Sequence, residues 1–273
     1  MVRIVAALFF VVFSLPAQAA GPKAELWARW QAHDPASNVT VDHSAWGRFL
    51  SRYLKVQPKD ANRVDYAGVS STDHAALAGY VDQLAAVSVS RLNKAEQLAY
   101  WINFYNALTV RVILDHWPVS SIRDIDISPG LFSDGPWGKK LVTVDGEKLS
   151  LDDIEHRILR PIWQDPRLHY AVNCASIGCP DLAAKPFSAK DADRLLQAAA
   201  EMFVNSPRSI KVDNDGRLTA SKIYDWFIDD FGGSEDKVLD HIRGFAAPDL
   251  RAKLAGRKDI DGHVYDWRIN AVN

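Results

Sequence analysis

Cys174 and Cys179 are the two cysteines of the chain, and both fall in residues 165–182 together with His169, Asn173 and Ser176. A thiolate beside an imidazole is a nucleophile for acyl transfer, and an amide or carboxylate that orients the ring completes such a set. His169 or His156 supplies the imidazole; Asn173, Asn103, Asn106 or Asp266 supplies the orienting group. The mostly apolar run 168–172 predicts a buried strand that ends at Asn173. The small residues 175–178 predict a turn, and Pro180 bars a helix start at Cys179. Reactive groups at the end of a buried strand are a common way to build a site. On one straight strand His169 and Cys174 would point to opposite faces, so either the strand bends at Asn173 or His156 is the partner.

Three other chemistries compete for the same residues. Cys174 and Cys179 are close enough in sequence to close a short disulfide that fixes the shape of the loop. Their spacing is not Cys-x-x-Cys and no thioredoxin-like pattern surrounds it, which argues against a redox-active role. Glu155, His156 and His169 are metal-ligand types. Glu155 and His156 are neighbours on a predicted helix and should not share a face, and no His-x-x-x-His occurs, so neither a metal nor another cofactor is expected. Ser176 and Glu155, with Asn103 and Asn106, are candidates for binding a small polar ligand or peptide instead. The aromatic and acidic run 224–231 offers stacking surfaces for a glycan or peptide, although such a helix is more often core on one side and solvated on the other.

Residues 1–19 read as a secretory signal peptide: Arg3 is the basic start, 4–15 the apolar region, and Ala17-Gln18-Ala19 the small-x-small cleavage site. The apolar run is too short to span a membrane, and no other stretch reaches spanning length. Cleavage would leave 273 − 19 = 254 residues with 31 basic and 34 acidic side chains, a net charge near −3. Neither sign dominates, so nucleic acid is not an expected partner. The expected location is periplasmic or secreted, where a cysteine pair is commonly oxidised.

The elements that must hold these residues follow from periodicity. Residues 93–116 form the longest helical pattern, with Asn93 as cap, Glu96 at the capping-box position, and an apolar stripe so broad that the helix must be central. Asn103 and Asn106 interrupt that stripe on one face, and burial obliges both to find partners. Further helices are expected over 44–54 with Ser44 as cap, 73–87, 151–159 opened by Ser150 with Asp153, 188–204 capped by Ser188, 224–231 stopped by Gly232, 236–245 and 248–255. Strands are expected over 122–127, 141–144 before an Asp145-Gly146 turn, a 209–221 hairpin, and 263–270. Residues 128–138, rich in Gly and Pro, form a candidate lid. The reading is an α+β fold: a signal peptide over 1–19, an N-terminal helical region over 20–90, and an α+β domain over 91–273 whose long buried helix packs on a mostly antiparallel sheet. That arrangement is distantly similar to papain-like and transglutaminase-like folds. Those folds place the nucleophilic cysteine at the start of the central helix, where this chain offers Asn103 and Asn106.

Several motifs resemble one family in matching order. Tyr100-Trp101-Ile102-Asn103-Phe104-Tyr105-Asn106-Ala107, Leu151-Asp152-Asp153-Ile154-Glu155-His156, Asp165-Pro166-Arg167 with His169, Asn173-Cys174-Ala175-Ser176 with Cys179-Pro180, and Tyr265-Asp266-Trp267 are similar to the motifs of the DUF547 family, domain of unknown function 547. The family has intracellular members, which implies that the two cysteines need not form a disulfide. Two functional readings stay open: a cysteine-dependent hydrolase or acyl transferase on peptide or amide substrates, and a non-catalytic ligand-binding or interaction module with oxidised cysteines.

Overall fold

The computed structural model describes residues 21–58, 60–130 and 134–272. Residues 1–19, where a signal peptide is expected, lie outside the described residues, as do Leu131 and Phe132 of the expected lid. No helix among the described residues is long and apolar enough to cross a membrane.

The helices are α1 Ser44–Tyr53, α2 Ser71–Ala85, α3 Lys94–Asp115, α4 Arg160–Trp163, α5 Ala192–Val204, α6 Lys222–Trp226, α7 Glu235–Phe245 and α8 Pro248–Lys253. A π-helical segment, Asp153–Leu159, runs directly into α4. Three small sheets accompany them. β1 Leu54–Lys55 pairs antiparallel with β2 Arg63–Val64, and β3 Val142–Val144 with β4 Glu147–Leu149. β5 Ile210–Val212 pairs antiparallel with β6 Leu218–Ser221, which pairs parallel with β7 Gly262–Val264. The protein is therefore α+β, with α3 packed against α2, the π-helical segment and α5.

Central α3 is buried along nearly its whole length, as its broad apolar stripe requires. Asn93 caps it by accepting from the Glu96 N–H at 2.9 Å. The Glu96 carboxylate does not complete a capping box there; it accepts from the Val41 N–H at 2.7 Å and ties the coil before α1 to the helix. Trp30, Trp46, Tyr80 and Leu84 share one core cluster with α3 residues Tyr100, Trp101 and Phe104. A second cluster is built by α5, β5, β6, α6 and α7, and Tyr170 belongs to it.

Two predicted strands are absent. Residues 168–172 lie in a 3-10 turn, Pro166–Tyr170, and the coil after it; Asp165 opens the turn by accepting from the Arg167 N–H at 2.9 Å. Among the described residues no strand pairs with this run. It is apolar because Leu168 and Ala171 enter the first core while Tyr170 enters the second. A short apolar run buried on both sides carries no period that separates strand from turn. At 122–127 the chain makes a 3-10 turn, Ile122–Asp124, with a Ser121/Asp124 capping box. Its buried residues Ile122 and Ile125 are spaced by three, which suits a turn better than the alternation of a strand. Two helix starts also shift. α1 is preceded by His43 rather than capped by Ser44, and Ser188 caps a short turn ahead of α5 by accepting from the Asp191 N–H at 3.2 Å. Of residues 263–270, the sheet takes only the first two; the remainder is extended, with an isolated bridge from Ile269 to Ser176.

His43 is buried beside Tyr80, whose hydroxyl lies 2.6 Å from its Nδ1, and burial lowers its pKa to about 4. The unfolded chain takes up this proton near pH 6.5, where the folded chain does not. The contribution is absent above pH 6.5, and stability is lost as the pH falls from there towards 4. At about 1.4 kcal/mol per pH unit the loss approaches about 3 kcal/mol. Urea unfolding at pH 7 and pH 4.5 should show it, and His43→Gln should flatten the dependence while lowering stability at pH 7.

Candidate functional site

Asn106 fixes the cysteine loop to the central helix. Its amide donates to the Ala171 carbonyl at 2.9 Å and accepts from the Asn173 N–H at 2.8 Å. Asn173 then shapes the loop from inside, donating to the Pro180 carbonyl at 2.7 Å and accepting from the Ala175 N–H at 2.8 Å. Ala175 adopts φ 59°, a left-handed conformation that costs a residue with a Cβ roughly 1–2 kcal/mol. Asn103 makes the same two-point bond to the backbone of Phe187, at 2.8 and 2.9 Å. Both helix asparagines thus have backbone partners, and neither they, nor Asn173, nor Ser176 are among the residues lining the adjacent cavity.

That cavity measures about 490 Å³ and is lined by residues from seven parts of the chain. Asp152, Glu155 and His156 come from the helix start and the π-helical segment, His169 from the 3-10 turn, and Cys174 and Cys179 from the loop. Glu155 and His156, adjacent in sequence, face the same cavity, contrary to the expectation from regular α-helix spacing. The segment is π-helical, and π turns in otherwise α-helical runs often occur at functional sites. His169 and Cys174 also share this cavity; the 3-10 turn and coil remove the opposite-face problem of a straight strand.

The two cysteines are free, with sulfurs 2.6 Å apart. The Cys174 sulfur lies 3.2 Å from Ser176 Oγ and 3.0 Å from Tyr265 Oη, and those hydroxyls lie 2.8 Å from each other. One hydroxyl hydrogen can pass between the two oxygens while the other turns to the sulfur. Burial pushes the Cys174 thiol up, but hydrogen bonds from Cys179, Ser176 and Tyr265 outweigh it and hold the thiol below its ordinary value. Burial and the neighbouring Cys174 sulfur push the Cys179 thiol up. Tyr265 gets there because Gly178 leaves room: a Cβ on Gly178 would lie 2.7 Å from the Asp266 nitrogen and 3.0 Å from the Tyr265 ring. The Gly178 and Ile177 N–H groups donate to Asp266 and Arg268 carbonyls, both at 2.8 Å, holding the two segments together.

His169 is oriented by a carboxylate that sequence reasoning did not single out. Its Nε2 lies 2.7 Å from Asp230 Oδ2, its ring stacks on Phe227 at 4.3 Å, and its Nδ1 is 4.0 Å from Glu155. Burial raises Asp230, but His169 and Arg160 outweigh it and hold the carboxyl well below the usual range. The only signal for Asp230 was its place in the aromatic and acidic run 224–231. Asp266 pairs with Arg268 at 3.0 Å rather than with a histidine. His156 accepts at Nδ1 from Arg160 at 2.9 Å, and burial lowers its pKa to about 4, so it is neutral at pH 7 with its proton on Nε2. Burial, with Glu155 and Asp153 nearby, raises Asp152 to about 6.

Replacing Asn106 by Leu strands a buried carbonyl and a buried N–H. At about 1–3 kcal/mol for each group, the loss should be about 2–6 kcal/mol by urea unfolding. Asn103→Leu should cost a similar amount. Only Asn106→Leu should also change the rate at which iodoacetamide modifies Cys174, because Asn103 holds a different loop.

The family model described as "Protein of unknown function, DUF547" matches residues 89–204. No curated protein and no solved structure matches the chain. The matched segment includes α3, the π-helical segment and the cysteine loop, and stops before Asp230 and Tyr265. Residues 89–204, which hold Asn103, Asn106, Glu155, His156, His169 and both cysteines, are therefore similar to the DUF547 family.

Proposed function

We propose that the protein is a cysteine-dependent hydrolase or acyl transferase acting on peptide or amide substrates, with Cys174 as nucleophile. The observation that carries this reading is the Cys174 thiol at a cavity wall, held below its ordinary pKa by Tyr265, Ser176 and Cys179. The thiol proton passes to the Glu155–His169 pair. The sulfur then attacks the substrate carbonyl carbon, forming a C–S bond; the C–N bond breaks and the amine leaves with a proton returned from that pair. Water, or an acceptor amine, then cleaves the thioester and restores the thiol. His169 suits the base better than His156: Asp230 accepts its Nε2 proton, leaving Nδ1 free to take one. Neutral His156 already commits its Nδ1 lone pair to Arg160.

A second reading has its own observation. Sulfurs 2.6 Å apart need little movement to join, which favours a Cys174–Cys179 disulfide and a non-catalytic binding module.

Alkylation and acylation separate the two. Under the first reading, native protein has two titratable thiols, and Cys174 reacts with iodoacetamide with an apparent pKa below the ordinary value of about 8.5. Tyr265→Phe should raise that pKa. p-Nitrophenyl acetate should leave one acetyl group on Cys174 by intact mass, and Cys174→Ser should show none. No free thiol in the native protein, or no acyl adduct, would refute the catalytic reading.

The signal-like segment 1–19 supports an exported, periplasmic or secreted protein. Expression of the full chain in a bacterial host should yield processed protein, shortened at Ala19, in the periplasmic fraction. Unprocessed protein confined to the cytoplasm would count against export.

A further inference from the structure

The cavity beside Cys174 has an unusual lining. Its described residues include three carboxylates, Asp134, Asp152 and Glu155, and no lysine or arginine. The remaining wall is largely aromatic, with Trp137, Trp226, Phe227, Tyr265 and Trp267 all part-exposed. Their rings form one continuous patch: Trp226 and Tyr265 centroids are 4.8 Å apart, Tyr265 and Trp267 4.6 Å, and Trp137 and Trp267 5.8 Å.

Four of the cations around this wall are already committed. Lys140 and Arg157 pair with Asp153, Arg160 with Asp230, and Arg123 with Asp134. The nearest nitrogen paired with Asp152 is His156 Nε2, at 3.7 Å, on a ring that is neutral at pH 7. Glu155 is nine-tenths buried, yet its basic neighbours are two histidine nitrogens no closer than 3.9 Å. The resulting repulsion between Asp152 and Glu155 contributes to the raised pKa of Asp152. The patch also receives a cation readily, since the Arg123 guanidinium already sits 5.3 Å from the centre of the Trp267 ring.

We infer that this cavity takes a substrate that ends in a cationic amine, with the ammonium seated among Trp137, Trp226 and Trp267 and countered by Asp152. The amine offsets a carboxylate that has no direct cation partner and feels Lys140 only at a distance, and aromatic faces replace part of its hydration shell. Tyr265 links the two halves of the site. Its ring belongs to the aromatic patch, and its hydroxyl lies 3.0 Å from the Cys174 sulfur. An amide bonded within a few atoms of the amine would therefore meet the nucleophile. This last placement rests on the catalytic reading of Cys174; the binding of the amine does not.

The test uses the full chain as the Cys174→Ala variant, titrated with Nα-acetyl-lysine amide and Nα-acetyl-norleucine amide and followed by tryptophan fluorescence. The two ligands are close in size and differ in the charged group. The lysine amide should bind at least about tenfold tighter, the scale of one desolvated cation–aromatic contact. Asp152→Asn in the same background should reduce that preference to below about threefold, with an unchanged circular dichroism spectrum to show that the variant is folded. Should that variant not fold, the comparison of the two ligands on the Cys174→Ala protein decides alone. Equal affinities, a preference for norleucine amide, or no binding of either at millimolar concentration would overturn the inference. Selective amine binding without acylation of Cys174 in the unaltered protein would defeat the catalytic reading alone. Acylation without amine preference would defeat the present inference alone.

Discussion

The two-point hydrogen bond from Asn106 to Ala171 and Asn173 connects the scaffold to the chemistry. α3 is immobilised on its apolar sides by α2, the π-helical segment and α5, so an amide on it is a fixed reference point. A loop bonded to that amide inherits its position. Asn173 passes the constraint on to Ala175 and Pro180, which brackets both cysteines. The buried amides must be satisfied in any case, and here their satisfaction sets the course of the loop. The left-handed Ala175, next to Cys174, persists because the bonds on either side leave it no alternative.

The other constraint comes from the end of the chain. After β7 the polypeptide leaves the three-stranded sheet and runs along the cysteine loop. Asn270 N–H donates to the Ala175 carbonyl at 3.0 Å, and the Asn270 carbonyl accepts from Val64 N–H at 2.8 Å. This passage puts Tyr265 against the Cys174 sulfur and Trp267 at the cavity wall. The second core contributes Asp230 and Phe227, which hold the His169 ring. The cavity is therefore a seam: one wall belongs to the core around α3, the other to the core around β5, β6 and α7, and the 3-10 turn carrying His169 anchors in both.

The electrostatics of the seam follow from what each wall needs for itself. Lys140, Arg157 and Arg160 near it are consumed by Asp153 and Asp230, and Asp152 and Glu155 line the cavity with aromatic surface. His156 is kept neutral by burial, and His169 by contrast sits against a carboxylate. Two histidines in one cavity thus sit in different electrostatic surroundings, a distinction that residue type alone does not make.

What the sequence determined by itself was local. The 3.6-residue period of α3, its Asn93 cap, the Asp145-Gly146 turn and the 210–221 hairpin all depend on neighbours a few residues away, and all were legible. Of the motif residues, Cys174, Cys179, His169, His156 and Glu155 line one cavity. Tertiary structure decided how those residues are arranged. It turned residues 168–172 from an expected strand into a 3-10 turn, because no strand among the described residues pairs with them and two cores competed for alternate side chains. It gave Asn103 and Asn106 backbone partners, and it brought in Asp230 and Tyr265 from far along the chain. Such contacts form only when distant segments are buried together, and no short-range pattern of residues encodes which segment will arrive.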